Sequence, residues 1–157
     1  ETASQYNLKT LSQVAKYTPN WQAGFGYEFL EREDGYKGLA KTYGLTFAQP
    51  PKVMDLGLMY RALAEKQVDL VAGNSTDGLI PVLDLVILED DQRYFPPYEA
   101  VPIFNRDSLQ KYPQLRQVLA KLTGKITSTA MQKLNYQVDG RNRKVEEVVK
   151  EFLVSLS

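Results

Sequence analysis

The residues that stand out chemically are aromatic: ten tyrosines, six phenylalanines and one tryptophan in a chain of 157 residues with no histidine and no cysteine. The missing residues remove the commonest general base, the commonest metal ligand and every thiolate. A Ser–His or Cys–His catalytic pair cannot be built from this chain. Aromatic rings pack cores and surfaces, and a tyrosine excess is compatible with that alone. A box of aromatic faces also suits a cation, whose charge is drawn to the negative face of each ring. The acidic run Glu89-Asp90-Asp91 lacks the spacing of a calcium loop and reads as a solvated turn. Gly24 and Gly26 are not followed by the third glycine of a dinucleotide fingerprint.

Charge narrows the partners. Lys plus Arg equals Asp plus Glu at 19 each, without the basic excess of a nucleic-acid binder. No stretch approaches the ~20 apolar residues that span a bilayer. The start ETASQYNLKT has no basic segment followed by an apolar core, so an export signal would have to lie outside these residues.

Local signals place the elements. Thr10 with Gln13 three residues on predicts a capping box and a helix from Leu11 to about Lys16, ended by Pro19. Trp21–Phe25 reads as a strand. Glu28–Glu33 reads as a helical turn broken at Asp34-Gly35, and Tyr36–Tyr43 as a helix closed by Gly44. A strand is expected at Leu45–Ala48, then a break at Pro50-Pro51. Asp55 should cap a helix carrying Leu56, Met59, Tyr60 and Leu63 on one face. Strands follow at Val68–Ala72 and Leu85–Leu88, separated by a loop over residues 73–78. The first ninety or so residues thus alternate strand and helix, the pattern of an α/β fold with a mostly parallel sheet flanked by helices. Pro96-Pro97 holds an extended connector, Val101–Phe104 reads as a further strand, and a helical tail completes the chain. Its apolar stripes are Leu115, Val118, Leu119, Leu122 and, last, Val145, Val148, Val149, Phe152, Leu153, Leu156.

Four stretches read in order resemble a known family: YEFLEREDGYKGLAKTYGL, LMYRALAEKQVDLVAGNSTDGLI, DLVILEDDQRYFPPYEAVPIF and LTGKITSTAMQKLNYQVDG. Together, from about Tyr6 to Leu153, they are similar to the glycine betaine/carnitine/choline-binding receptors of osmoprotectant ABC importers. The resemblance implies a periplasmic-binding-protein-like fold of type II, in which two lobes close on a solute. A full receptor of that family is nearly twice this length, and the chain matches its second half. Residues 1–93 would then be the second lobe, 94–104 the return hinge, and 105–157 a helical segment that packs on the first lobe. The expected partners are a quaternary-ammonium solute, an ABC permease, and either the first lobe or a second copy exchanging its tail. The expected location is periplasmic or extracytoplasmic, at the membrane through the transporter. No cofactor, metal, nucleic acid or catalytic residue is expected.

The resemblance also assigns site residues. Tyr98, closing Phe95-Pro96-Pro97-Tyr98, matches a cage tyrosine, and Arg32 matches an arginine that pairs with the solute's carboxylate through its planar fork. Glu28 matches a position near the ligand, although Glu28 and Arg32 also have the spacing of a surface ion pair. Tyr27 is adjacent and offers another aromatic face. Asn74 stands where many members have tyrosine, exchanging an aromatic wall for an amide. That change fits a solute with more polar groups near its ammonium, such as ergothioneine. Ser75, Thr76 and Asp77 line the same loop, where Thr76 and Asp77 are equally placed to cap the next helix. A sensor lobe of the same fold, outside transport, is the alternative role.

Overall fold

The structure is a computed structural model, and residues 2–156 are described. The chain forms two compact units. One comprises Glu1–Asn74 and Ile80–Pro96, the other Ser75–Leu79 and Pro97–Ser157.

The first unit opens with α1 (Thr2–Gln5) and α2 (Leu11–Val14). Thr10 and Gln13 form the expected reciprocal capping box, but the helix stops at Val14 and a 3-10 turn at Thr18–Asn20 carries Pro19. Strand β1 (Ala23–Phe25) leads through Gly26 into α3 (Tyr27–Glu31), followed by α4 (Tyr36–Tyr43). Gly44 ends α4 at φ 67°, a left-handed conformation that costs glycine no Cβ clash. Strand β2 (Lys52–Val53), α5 (Leu56–Ala64), β3 (Leu70–Val71) and α6 (Leu79–Val82) follow. Asp55 caps α5, its carboxylate accepting from the Gly57 N–H at 2.8 Å.

The sheet has the order β2-β1-β3, with both pairings parallel. Gly24 and Phe25 pair with Lys52 and Val53 on one side, and Ala23 and Gly24 with Leu70 and Val71 on the other. Phe25, 1 % exposed, anchors an aromatic cluster with Phe29, Tyr36 and Phe47, at ring separations of 5.3, 5.1 and 6.2 Å. Burying such a side chain contributes about 1.5–3 kcal/mol. Met59, Tyr60, Ala62 and Val68 are also buried, while Leu8, Leu11, Val14, Leu39, Tyr43 and Leu45 form one contiguous core.

Three expected strands are absent. Leu45–Ala48 forms no strand: Leu45 faces the core, the Ala48 N–H donates to the Trp21 carbonyl at 3.1 Å, and the ladder forms only beyond Pro50-Pro51, at Lys52–Val53. Leu85–Leu88 contributes no strand, the nearby pairing being one bridge between Thr10 and Glu89. Val101–Phe104 is likewise irregular, with Val101 and Ile103 exposed and Pro102 lacking an N–H to donate. In each case the apolar residues were read as a ladder when no neighbouring strand supplies hydrogen bonds.

The second unit holds α7 (Arg106–Lys111), α8 (Leu115–Ala120), α9 (Ser128–Asn135) and α10 (Val145–Ser155). Thr127 caps α9 as expected, and the Asp139-Gly140 turn closes a π-helical turn, Tyr136–Gly140. Along α10 only Val148 is fully buried; Val145, Val149 and Leu153 of the expected stripe are exposed.

Glu89 and Asp91 of the acidic run are exposed, as a solvated turn implies, but Asp90 between them anchors a hydrogen-bonded knot. The Asp90 carboxylate accepts from the Tyr43 hydroxyl, from the Tyr94 N–H at 2.9 Å and from the Phe95 N–H at 2.8 Å. The Tyr43 hydroxyl in turn accepts the Gln92 N–H at 2.8 Å. Burial, then the Asp90 carboxylate, pushes Tyr43 up to about 12. Burial would raise Asp90, but the hydrogen bonds from Tyr43, Phe95 and Tyr94 outweigh it and hold the carboxyl below its usual range.

The signs predict two pH windows. Unfolded tyrosine ionises near pH 10 while folded Tyr43 resists until about 12, so stability should fall between those values. Unfolded Asp90 takes its proton first on acidification, so stability should also fall as pH drops below about 4. Denaturant melts of Tyr43→Phe and Asp90→Asn should show the alkaline and acid slopes reduced, respectively. Each variant should cost about 1–3 kcal/mol near pH 7. Slopes matching the parent would contradict the knot.

Candidate functional site

The parallel sheet collects the ends of its strands on one edge. β1 lies between neighbours reached by connections that leave in opposite directions, which makes its carboxyl end a topological switch point. Crevices outside the carboxyl ends at such points are where open α/β sheets bind ligands. Beyond β1 come Gly26, Tyr27 and Glu28; beyond β3 come Ala72, Gly73 and Asn74; beyond β2 come Met54, Asp55 and Leu56. The opposite edge is closed by short polar links: the Gln22 N–H donates to Asp69 at 2.9 Å, and the Asp69 N–H to the Gln22 carbonyl at 2.8 Å.

Tyr27, 69 % exposed, and Glu28, also exposed, begin α3 directly after the strand. Gly26 permits this close passage: a Cβ there would meet the Leu56 side chain at 3.0 Å. Arg32 is the C-cap of α3, its backbone N–H donating to the Glu28 carbonyl at 3.0 Å. Its guanidinium fork is engaged by Asp34, with Nε to Oδ1 at 2.8 Å and Nη2 to Oδ2 at 2.5 Å. This pair is half exposed and contributes at most about 1 kcal/mol to stability. Its geometry nevertheless demonstrates a carboxylate seated bidentately on that fork. The alternative partner that the spacing offered for Arg32 is Glu28; the partner in the structure is Asp34.

Asn74 is exposed at the end of β3, in the first unit. Ser75, Thr76 and Asp77 belong to the second, where the loop is fastened through its carbonyls. Gln132 Nε2 donates to Ser75 O at 2.7 Å and Asn135 Nδ2 to Thr76 O at 2.9 Å. Gly78 seats against the Tyr136 backbone, where a Cβ would lie 2.4 Å from the Tyr136 nitrogen. Tyr98, 67 % exposed, also belongs to the second unit, just beyond Pro96-Pro97. The six candidates thus divide: Tyr27, Glu28, Arg32 and Asn74 in one unit, Thr76 and Tyr98 in the other. Among the described residues, no group of three or more acidic side chains is placed to hold a metal ion. No described helix is long and apolar enough to cross a membrane.

Solved structures share this architecture. One described as a glycine betaine/carnitine/choline ABC transporter superposes with a TM-score of 0.89 at 40 % identity, over 98 % of this chain and 56 % of that one. Apo YehZ from Escherichia coli superposes at 0.74 with 23 % identity, a likeness of fold. The fold is therefore that of a periplasmic-binding-protein-like α/β unit. Residues 1–155 match the family described as the substrate binding domain of the ABC-type glycine betaine transport system, and the chain belongs to that family of transport binding proteins, which are not enzymes.

Among relatives, the carnitine transport binding protein OpuCC of Listeria monocytogenes is 42 % identical over 98 % of this chain and 50 % of its own length. The ergothioneine transport permease/ergothioneine binding protein EgtU of Helicobacter pylori is 36 % identical over 99 % of this chain and 28 % of its own. The glycine-betaine-binding protein of Pseudomonas aeruginosa is 34 % identical over 80 % and 41 %. The chain spans about half the length of the Listeria relative and less of the other two.

Backbone atoms cannot yield as a flexible side chain would, so Gly78→Ala should displace the loop bearing Thr76 or force α9 to shift. The expected loss is about 1–3 kcal/mol in thermal or denaturant melts. A variant as stable as the parent would mean that the seat on Tyr136 is loose.

Proposed function

We propose that this chain forms the solute-binding second lobe, return hinge and C-terminal helical segment of an extracytoplasmic receptor serving an ABC importer. Residues 1–93 are the lobe, 94–104 the hinge and 105–157 the segment that packs on the first lobe. The solute is a quaternary-ammonium compound such as glycine betaine, choline or carnitine. The observation carrying this reading is the common carboxyl edge of the sheet, which presents Tyr27, Glu28 and Asn74 in a chain of this family.

The chemistry divides by charge. A trimethylammonium group has no N–H to donate, so salt bridges grip it weakly, whereas each aromatic face attracts it by about 0.5–2 kcal/mol. Tyr98 and Tyr27 are accessible for that role. The solute's carboxylate goes to Arg32, whose fork already accommodates a carboxylate in the form of Asp34. Binding draws the two lobes together and biases an open–closed equilibrium that the permease reads. The exposed Val145, Val149 and Leu153 of α10 fit a surface covered by the first lobe or, for the isolated chain, by a second copy.

A second reading keeps the receptor and changes the solute. Asn74 supplies an amide where a cage wall is expected, and one relative is named for ergothioneine. A betaine with polar groups near its ammonium would use that amide. A sensor lobe of the same fold is the remaining alternative, and the neighbouring genes distinguish it from a transporter component.

Calorimetric titration of the full-length receptor, first lobe included, with glycine betaine, carnitine and ergothioneine tests both readings. Tyr98→Ala should weaken binding roughly 2- to 30-fold, and Arg32→Ala roughly 10- to 100-fold. Asn74→Tyr should strengthen the simple betaines and weaken ergothioneine. A ligand that tolerates both alanine substitutions sinks the site assignment. Sedimentation of the isolated chain should show dimers; a strict monomer at high concentration contradicts tail exchange.

A further inference from the structure

The turn after α3 is built around an arginine that carries its own counter-ion, and every residue of it belongs to the first unit. Arg32 closes α3 with its N–H on the Glu28 carbonyl at 3.0 Å. The Gly35 N–H returns to the Arg32 carbonyl at 3.0 Å. The Gly35 carbonyl then starts α4, accepting the Leu39 N–H at 3.1 Å, and it also accepts the Tyr94 hydroxyl at 3.1 Å. Gly35 is buried, and a Cβ there would collide with the Phe29 carbonyl oxygen. Gly38 seats the Tyr94 phenol, because a Cβ there would collide with its hydroxyl. Residues 32–35 are therefore a braced turn, and it holds Asp34 beside the guanidinium.

Asp34 fills one edge of that guanidinium. Nε donates to Oδ1 at 2.8 Å and Nη2 to Oδ2 at 2.5 Å, so both carboxylate oxygens sit on parallel N–H groups. Arginine recognises carboxylates in general by this arrangement, and the edge holds one carboxylate at a time. An anion tethered on so short a turn competes as a concentrated one would. The pair is still open to solvent, its side chains being 49 % and 40 % exposed. It can part without stranding a buried charge, the event that makes broken ion pairs expensive.

We propose that Asp34 is a specificity-determining residue: it is the resident counter-ion of Arg32, displaced by the carboxylate of a solute such as glycine betaine or carnitine and left in place by choline, which has no carboxylate. This rests on the proposed role of Arg32. A carboxylate-bearing solute gains the arginine but breaks the pair that Asp34 made, so its net gain is reduced. Choline meets an arginine whose charge is already balanced and is spared the repulsion of a second cation. Asp34 thus narrows the gap between the two classes of solute.

The test titrates the full-length receptor with glycine betaine, carnitine and choline, comparing the parent with Asp34→Asn and Asp34→Ala. The amide keeps the size of the side chain and removes its charge; the alanine removes the acceptor outright. Either variant should bind whichever of glycine betaine and carnitine the parent binds about two- to fivefold more tightly, the gain expected from releasing an exposed ion pair. Choline should bind unchanged or more weakly. In an Arg32→Ala background, removing the Asp34 charge should no longer strengthen the carboxylate-bearing solutes. Unchanged or weakened binding of those solutes in both variants overturns the proposal, and would make Asp34 a support for the arginine instead of its competitor. An equal gain for choline overturns it, as does a gain that persists without Arg32. A parent that binds neither glycine betaine nor carnitine, or binds them equally well as Arg32→Ala, overturns the role of Arg32 itself. That outcome is distinct from a parent that binds through Arg32 and an Asp34 variant that matches it.

Discussion

Parallel pairing of β1 with both neighbours is the constraint on which the proposed site depends. A parallel neighbour cannot be reached by a tight turn, so each pairing requires a crossover, and the crossovers here carry α3, α4 and α5. The strand ends therefore all point one way, and whatever follows them shares an edge. Asn74 is far from Tyr27 and Glu28 in sequence and comes to share one sheet edge with them for this reason alone. The strands themselves are two or three residues long. Phe25 of β1 is also held by its ring contacts with Phe29, Tyr36 and Phe47, and Met59 and Val68 are fully buried in the same unit.

Two kinds of charged contact occur in this unit, and they do different work. The Arg32–Asp34 pair is exposed, so solvent screening leaves it little influence on stability. Its value lies in geometry, because it shows the guanidinium fork accepting a carboxylate. The Asp90 carboxylate is partly buried and accepts three hydrogen bonds. There the carboxylate organises backbone, and losing it leaves amides without partners. The first contact is open to solvent, and the second holds a chain segment still.

Local signals were legible in the sequence. Thr10 with Gln13, Asp55, Thr127 and Gly44 each announce a helix boundary through atoms within a few residues, and each acts as read. Strands were less legible, because Leu45–Ala48, Leu85–Leu88 and Val101–Phe104 have the apolar texture of a ladder but find no partner to complete one. The knot was invisible for a similar reason: Asp90 and Tyr43 are 47 positions apart, and nothing in the run Glu89-Asp90-Asp91 announces a buried hydroxyl opposite. Family membership was legible from four ordered motifs. The candidate residues came from that resemblance, whereas the shared edge joining three of them came from the sheet topology.

The central claim is that the solute sits at the carboxyl edge of the β2-β1-β3 sheet. Backbone amide chemical shifts of the full-length receptor, followed by NMR during titration with carnitine, test it most directly. The account predicts that the largest changes cluster at residues 26–28 and 73–75. Saturable changes confined to the opposite edge, around Gln22 and Asp69, would contradict it.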